Sequence, residues 1–332
     1  MSTIIKTAGS ILALAILAAC GGGDGDSGSS GGGGNGGGAG GGGTPPPKYT
    51  KQQMEWVGHE SVYTALGVTQ IPGFVANLAL DFFSYAAEEK ITTDSGTCDG
   101  ESAGTLVATL TDANGDGLVS NGDKVVFDFN DCYLETEDLL LDGTVTVTFS
   151  GVSGNVLDET ASSAVTMTLP LTGFKLDGSE TLDGTIVVAY KHDNKGTASD
   201  DDDTYAYKTT VAQLDIARSE GGKSYATRIE NYLSDYVYDY VTDLNTFSAI
   251  SYGASGTDPL LGSFDYDVTM TTPLVYWEHS EGGELQSGAF KSVTVGETIT
   301  TTFVQTDTRN QVKIESTSGL SSTMDFIAFD DL

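Results

Sequence analysis

The sequence predicts a mainly β protein: an antiparallel up-and-down meander, forming a curved open sheet or partial barrel of hairpin repeats, with a short N-terminal helical segment. Three observations predict it. From about residue 103 onward apolar residues alternate with polar ones at period two. Gly104, Gly143, Gly184, Gly222 and Gly262 recur at spacings of 39, 41, 38 and 40 residues, each expected to open a strand. Residues 48–95 instead repeat their apolar residues at steps of three and four, as an amphipathic helix does.

The helical segment is read as two pieces, Gln52–Leu66 and Gly73–Lys90, separated by Pro72-Gly73. It carries Trp56, Val57, Tyr63, Phe74, Phe82 and Phe83 and is the natural cover for the dry face of a sheet. Strands are expected at Thr105–Thr111, Lys124–Phe129, Gly143–Phe149, Ala164–Leu169, Thr185–Tyr190, Tyr205–Ala217, Ser224–Tyr232 and Ser234–Val241. Five more follow at Phe264–Met270, Leu274–His279, Ala289–Val295, Thr298–Thr306 and Gln311–Ser316. They are rich in Val, Thr, Ile, Tyr and Phe, and Gly, Asp, Asn and Ser punctuate them. A 40-residue period holds two strands and two turns, so the series reads as consecutive hairpins. Leu141-Asp142-Gly143-Thr144-Val145 and Leu182-Asp183-Gly184-Thr185-Ile186 nearly coincide, which supports the repeat.

Charge narrows the function classes. Lys and Arg total 15 against 47 Asp and Glu, a formal net charge of −32. A chain this acidic repels phosphate, so nucleic acid is excluded as a partner.

The N-terminus reads as an address. Lys6 is followed by an apolar stretch from Ile11 to Ala19, too short to span a bilayer and suited to the core of a signal peptide. Leu17-Ala18-Ala19-Cys20 resembles the lipobox of bacterial lipoproteins. The resemblance implies cleavage after residue 19, acylation of Cys20 and a partner in the membrane itself through that lipid anchor. Gly21 stands where the family's inner-membrane retention signal has Asp, which implies the outer membrane of a Gram-negative bacterium. Residues 21–43 hold 16 of the 43 glycines and cannot bury apolar surface. Such a coil has a root-mean-square reach of roughly 25 Å. Thr44-Pro45-Pro46-Pro47 stiffens its exit. The organisation expected is therefore a signal peptide at 1–19, an anchored tether at 20–47, a helical cap at 48–95 and a β domain at 96–332.

With Cys20 taken by lipid, Cys98 and Cys132 remain, and in an exported protein they are expected to pair. Closing a loop of this length is worth roughly 3–4 kcal/mol in the chain-entropy treatment. Between them lies the sharpest chemical motif. Asp112, Asn114, Asp116, Ser120 and Asp123 place side-chain oxygens at positions 1, 3, 5, 9 and 12 of a twelve-residue loop, with Gly117 at position 6 and the Leu118 carbonyl at 7. This resembles the EF-hand loop, and more closely its dockerin variant, in which Asp ends the loop. The resemblance implies a calcium ion held by hard oxygen ligands. Strands flank the loop here, so the ion is expected to be structural, pinning the hairpin whose open end the disulfide closes. The turn-forming habit of Asp, Asn and Gly explains the same residues without a metal.

Other motifs carry less. Gly100-Glu101-Ser102-Ala103-Gly104 matches a nucleophile elbow, but a strand follows it where a helix is required. Ala217–Ser224 matches a phosphate loop only loosely, and Gly25-Asp26-Ser27-Gly28 lies inside the tether. His59, His192 and His279 are scattered single histidines, and acidic pairs such as Glu88/Glu89 and Asp235/Asp239 are expected by chance. The run Asp200–Asp203 reads as a solvated loop. Tyr236, Tyr238 and Tyr240 share one strand face, as do Tyr205 and Tyr207, and packing into the core is the favoured reading over a peptide- or saccharide-binding row. The function expected is a non-catalytic binding or structural role for an outer-membrane lipoprotein. Its alternatives are a carrier of lipid or another hydrophobic ligand, with a pocket beside Phe74–Tyr85, and an exported hydrolase.

Overall fold

The computed structural model describes residues 48–98, 104–134, 139–158, 160–197, 202–277, 285–305 and 310–325. Fourteen strands form one antiparallel sheet in sequence order, each paired with its chain neighbours, and the first and last strands are not paired with each other. They run as β1 (Thr93–Thr97), β2 (Thr105–Thr111), β3 (Lys124–Leu134), β4 (Leu139–Ser153), β5 (Ser163–Leu176), β6 (Glu180–Asp193) and β7 (Thr204–Glu220). The second half is β8 (Lys223–Asp239), β9 (Leu244–Asp258), β10 (Gly262–Trp277), β11 (Leu285–Thr294), β12 (Glu297–Gln305), β13 (Asn310–Ser316) and β14 (Ser321–Asp325). This is the open meander that the alternation predicts. Most strands bury every second residue, as in β12, where Glu297, Ile299, Thr301 and Phe303 turn inward.

The sheet curls around one helix, α1 (Lys51–Glu89). It is long and apolar enough to cross a bilayer, yet most of its apolar stretch lies inside the sheet. Thr50 caps its start: the Thr50 side chain accepts from the Gln53 N–H, and the Gln53 side chain accepts from the Thr50 N–H. Lys90, in the left-handed region, ends it. Just before the cap, the Lys48 and Tyr49 N–H groups donate to Glu297 on β12 at 2.8 and 3.2 Å.

The helix continues through Pro72, where two pieces were expected. Pro72 removes the N–H that would reach the Val68 carbonyl, a local cost of about 3 kcal/mol. Val68, Thr69, Pro72, Val75 and Ala76 are all buried around the site, so tertiary burial outweighs that local preference. β8 and β10 are each one strand where two were read, and β1, β9 and β14 were not expected.

A band of β-bulges bends the sheet. Register shifts fall between Phe129 and Cys132 in β3, Asp142 and Thr148 in β4, Leu171 and Phe174 in β5, Gly184 and Ile186 in β6, and Glu230 and Leu233 in β8. Bulges sharpen local twist, which is how a wide sheet coils around a single rod. The glycine repeat is partly explained here. Gly143 and Gly184 lie within strands at the band, while Gly222 sits in the β7–β8 turn and Gly262 begins β10. Gly143 has φ +121°, and an added Cβ would stand 3.2 Å from the Phe174 ring.

The interior has two textures. Around the C-terminal half of α1 it is hydrocarbon: Phe82 meets Phe127 edge-on at 6.2 Å and Phe83 meets Phe149 at 6.0 Å between ring centroids. Along the other flank it is built of hydroxyls. Ser61 Oγ donates to the Val57 carbonyl and bonds Ser292 Oγ at 2.6 Å. Tyr252 donates to the Ser61 carbonyl, and Tyr232 donates to the Ala65 carbonyl. Thr69 bonds both Tyr232 and Ser234, at 2.6 and 2.7 Å. Tyr207 donates to Asn77 Oδ1 at 3.2 Å. Ser61, Ala65, Thr69 and Asn77 lie at four- and eight-residue steps, along a ridge that winds around the helix by roughly 40° per four-residue step. Burial pushes the Tyr232 phenol up to about 12, so it stays a neutral donor at ordinary pH. Replacing it by Phe leaves the Ala65 carbonyl and its hydroxyl partners short of a bond. Tyr232→Phe is expected to cost about 1–3 kcal/mol in urea unfolding, with no change in far-ultraviolet circular dichroism.

Candidate functional site

The β2–β3 loop is wound by its own side chains. Asp112 accepts from the Gly115 and Gly117 N–H groups at 2.7 and 2.8 Å. Asp116 accepts from the Leu118 N–H at 2.8 Å, and Asn114 Oδ1 accepts from the Asp116 N–H at 3.1 Å. Asp123 is wholly buried and accepts from the Ala113 and Ser120 N–H groups at 2.8 and 2.7 Å. Burial works to raise the Asp112 carboxyl, but the bonds from the Gly117, Gly115, Asn114 and Asp116 N–H groups together outweigh it and hold it below the usual carboxylate range. The Asn114 amide nitrogen reaches Asp116 Oδ2 at 2.9 Å and Ser120 Oγ at 3.1 Å, so positions 3, 5 and 9 converge. Among the described residues no three His, Cys, Asp or Glu side chains form a metal-holding group. An ion here therefore needs the amide, hydroxyl and carbonyl donors of Asn114, Ser120 and Leu118 alongside the carboxylates. The oxygens present are hard donors of the kind calcium takes, and those of Asp112, Asn114, Asp116 and Asp123 accept from loop N–H groups in this structure.

Cys98 and Cys132 are joined, with Cα atoms 5.4 Å apart across a sequence separation of 34. They tie the end of the β2–β3 hairpin opposite the loop. Cys20, the elbow residues 100–103, Asp200, Asp201 and His279 lie outside the described residues.

The remaining candidates are placed by the fold. The Ala217–Ser224 match is the β7–β8 hairpin, turning at Gly221 and Gly222. Tyr232, Tyr236 and Tyr238 are core residues, while Tyr240 is 46 % exposed. Asp203 departs from the solvated-loop reading. It is wholly buried, and its Oδ2 lies 2.6 Å from His192 Nε2, with the imidazole stacked on Tyr205. His59 is sandwiched along α1 between Trp56 and Tyr63, at 6.0 and 5.7 Å between ring centroids.

A site that sequence reasoning missed lies between the first half of α1 and strands β6–β10. Here the helix and sheet diverge and leave a half-open cleft of about 90 Å³. Trp56, Tyr63 and Ile71 form the helix wall, and Leu182, Leu214 and Ile216 the sheet wall. Tyr225 and Phe264 also line it. Into this apolar lining come Glu60, Asp177, Glu180 and Asp258, with Arg218 as the one cationic side chain. Asp258 accepts from the Leu260 and Leu261 N–H groups and from Trp56 Nε1 at 3.2 Å, so it orients the indole. The Arg218 guanidinium lies over the Tyr225 ring, 4.3 Å from its centroid. Burial pushes the Glu180 carboxyl up; Arg218 opposes this, and Glu60 and Asp177 reinforce it. These residues come from chain positions more than 200 apart, and each looks ordinary in its own strand or helix. The only local signal is an Arg in so acidic a chain.

The Glu180 shift has a thermodynamic sign. Its folded-state affinity for a proton exceeds the unfolded value of 4.5, so folding stability falls as pH rises through 4.5 and on through the raised value. Glu180→Gln removes that penalty. The variant is expected to melt at a higher temperature than the parent at pH 7 and with no gain at about pH 4, in paired thermal scans.

No family model, curated protein or solved structure matches the chain.

Proposed function

We propose that the chain is an exported lipoprotein, anchored in the outer membrane through acylated Cys20, whose tethered domain performs a non-catalytic binding role in the α1–sheet cleft. The cleft is the observation that carries the binding role: it is half open, mostly apolar, and has a few polar groups converging on it, the usual make-up of a small-ligand seat. The lipobox and the glycine tract support the anchored half of the reading. The carrier alternative is disfavoured by size and position. Around Phe82 and Phe83 the space beside the helix is filled, and the cleft lies beside Trp56–Pro72 instead. At about 90 Å³ it is well below the roughly 300 Å³ at which drug-sized pockets begin, so it suits one small group and not an enclosed acyl chain.

Mass spectrometry of the protein extracted from membranes is expected to show a chain that begins at Cys20 and bears acyl groups. Cys20→Ser is expected to yield an unacylated chain released by washing. Recovery of the uncleaved wild-type chain from the cytosol overturns the anchored reading.

Calcium belongs to the same proposal as a structural ion. Asp112, Asn114, Asp116, Ser120, Asp123 and the Leu118 carbonyl would hold it, and it would supply charge neutralisation and rigidity to the β2–β3 turn. Extracellular calcium modules bind at about 10⁻⁴ to 10⁻³ M. At a hundredfold excess over the dissociation constant the stabilisation is about 2.7 kcal/mol. Calcium at 10 mM is therefore expected to raise the melting midpoint of the wild type by several degrees and that of Asp112→Ala not at all. An unchanged wild-type midpoint leaves the loop as a metal-free turn.

A further inference from the structure

We infer that the cleft between α1 and β6–β10 is a seat for an organic cation: a primary ammonium group carried on a short apolar body. The inference rests on the binding reading above and adds the ligand's chemistry to it.

Charge is the first argument. Glu60, Asp177, Glu180 and Asp258 face the cleft against Arg218 alone, so its lining carries four carboxylates and one cation. The surrounding protein, at −32, adds a field of the same sign that draws cations inward and repels anions. The second argument is the lining. Trp56, Tyr63, Tyr225 and Phe264 are half-buried rings, neither packed away nor fully solvated. Aromatic faces attract cations through the ring quadrupole, and more strongly where water is excluded. The cleft already holds one such contact, its own Arg218 guanidinium on Tyr225.

The third argument separates the carboxylates by task. Asp258 is engaged with two backbone N–H groups and the Trp56 indole, which makes it a positioning residue for that ring. Glu180 sits in the apolar wall, where burial and two neighbouring carboxylates disfavour its charge. An arriving ammonium relieves that repulsion, so ligand binding and Glu180 ionisation assist each other. Glu60, one helical turn from Trp56 and from Thr64, offers the second counter-charge on the opposite wall. The volume completes the case: about 90 Å³ is less than the roughly 150 Å³ that holds benzene, so a compact head group fits and a bulky one does not.

The test compares three probes with the same six-carbon chain, hexylammonium, hexanol and hexanoate, by isothermal titration calorimetry on the full chain. Saturable binding is expected for the ammonium alone. Glu60→Gln and Glu180→Gln are each expected to weaken it at least about tenfold, as loss of a desolvated counter-charge does. Ile216→Trp, which fills the cleft, is expected to abolish it. Circular dichroism checks that each variant is folded, and Glu60→Gln, on the partly exposed helix wall, gives a second and independent reading of the counter-charge. Equal binding of all three probes, unaffected by the Glu variants, overturns the cation assignment while leaving a cleft that binds. Ammonium binding that survives Ile216→Trp places the probe elsewhere and overturns it too. No binding of any probe removes both the cation and the binding reading of the cleft.

Discussion

A wide sheet that is dry on one face must hide that face, and here it does so against α1, the only α-helix among the described residues. The strands cannot stack on a second sheet, so the sheet must coil, and the coil must match the width of one helix with its side chains. The band of bulges supplies the bend. The hydroxyl ladder supplies the alignment: Tyr252 on the Ser61 carbonyl, Tyr232 on the Ala65 carbonyl and Tyr207 on Asn77 tie successive turns of α1 to β9, β8 and β7. Hydrocarbon packing alone would tolerate rotation of the helix about its axis. A row of buried hydroxyls does not, because any rotation leaves several of them unpaired at a cost of about 1–3 kcal/mol each.

The same geometry explains where the cleft lies. At its start α1 leans toward β11–β13, drawn by Glu297 and by the close approach of Gly58 to Thr301 and Ile314. The opposite side of the coil is then left without helix surface to cover it. Larger side chains from both walls, among them Trp56, Tyr63 and Phe264, reach across without closing the gap. Placing carboxylates in such a gap would weaken an ordinary core, since buried charge is costly unless it is paired. Glu180 is the residue most exposed to that cost, since burial and the carboxylates of Glu60 and Asp177 push its carboxyl up while Arg218 opposes them.

Much of the fold could be read from the residues, and the exceptions have physical causes. Strands such as β3 and β12 announce themselves because inward apolar residues alternate with polar ones, as in Phe127-Asp128-Phe129-Asn130 and Thr298-Ile299-Thr300. β9 does not: in Leu244–Asp258 its inward positions include Ala254 and its outward ones Ser251 and Ser255, so the contrast is faint. It is a strand because β8 and β10 pair with it on both sides. Pro72-Gly73 carries a strong break signal that only the enclosing sheet overrides. The twelve-residue loop was visible because its polar residues fall within one short stretch, and Asp112 and Asp123 at its two ends accept from N–H groups inside it. The cleft was invisible because its residues meet only after the sheet has coiled. Burial of Asp203 was hidden for a related reason: its partner His192 stands across a turn, and the acidic run around it suggested water.

The free margins at β1 and β14 have an evolutionary meaning. A closed cylinder fixes strand number, tilt and stagger together, so a pair of strands cannot be inserted without rebuilding the whole circumference. Here every ladder joins sequence neighbours only. A hairpin gained or lost at either rim leaves all the other pairings untouched. Chains of this architecture can therefore vary in length by whole hairpins while keeping the same central rod.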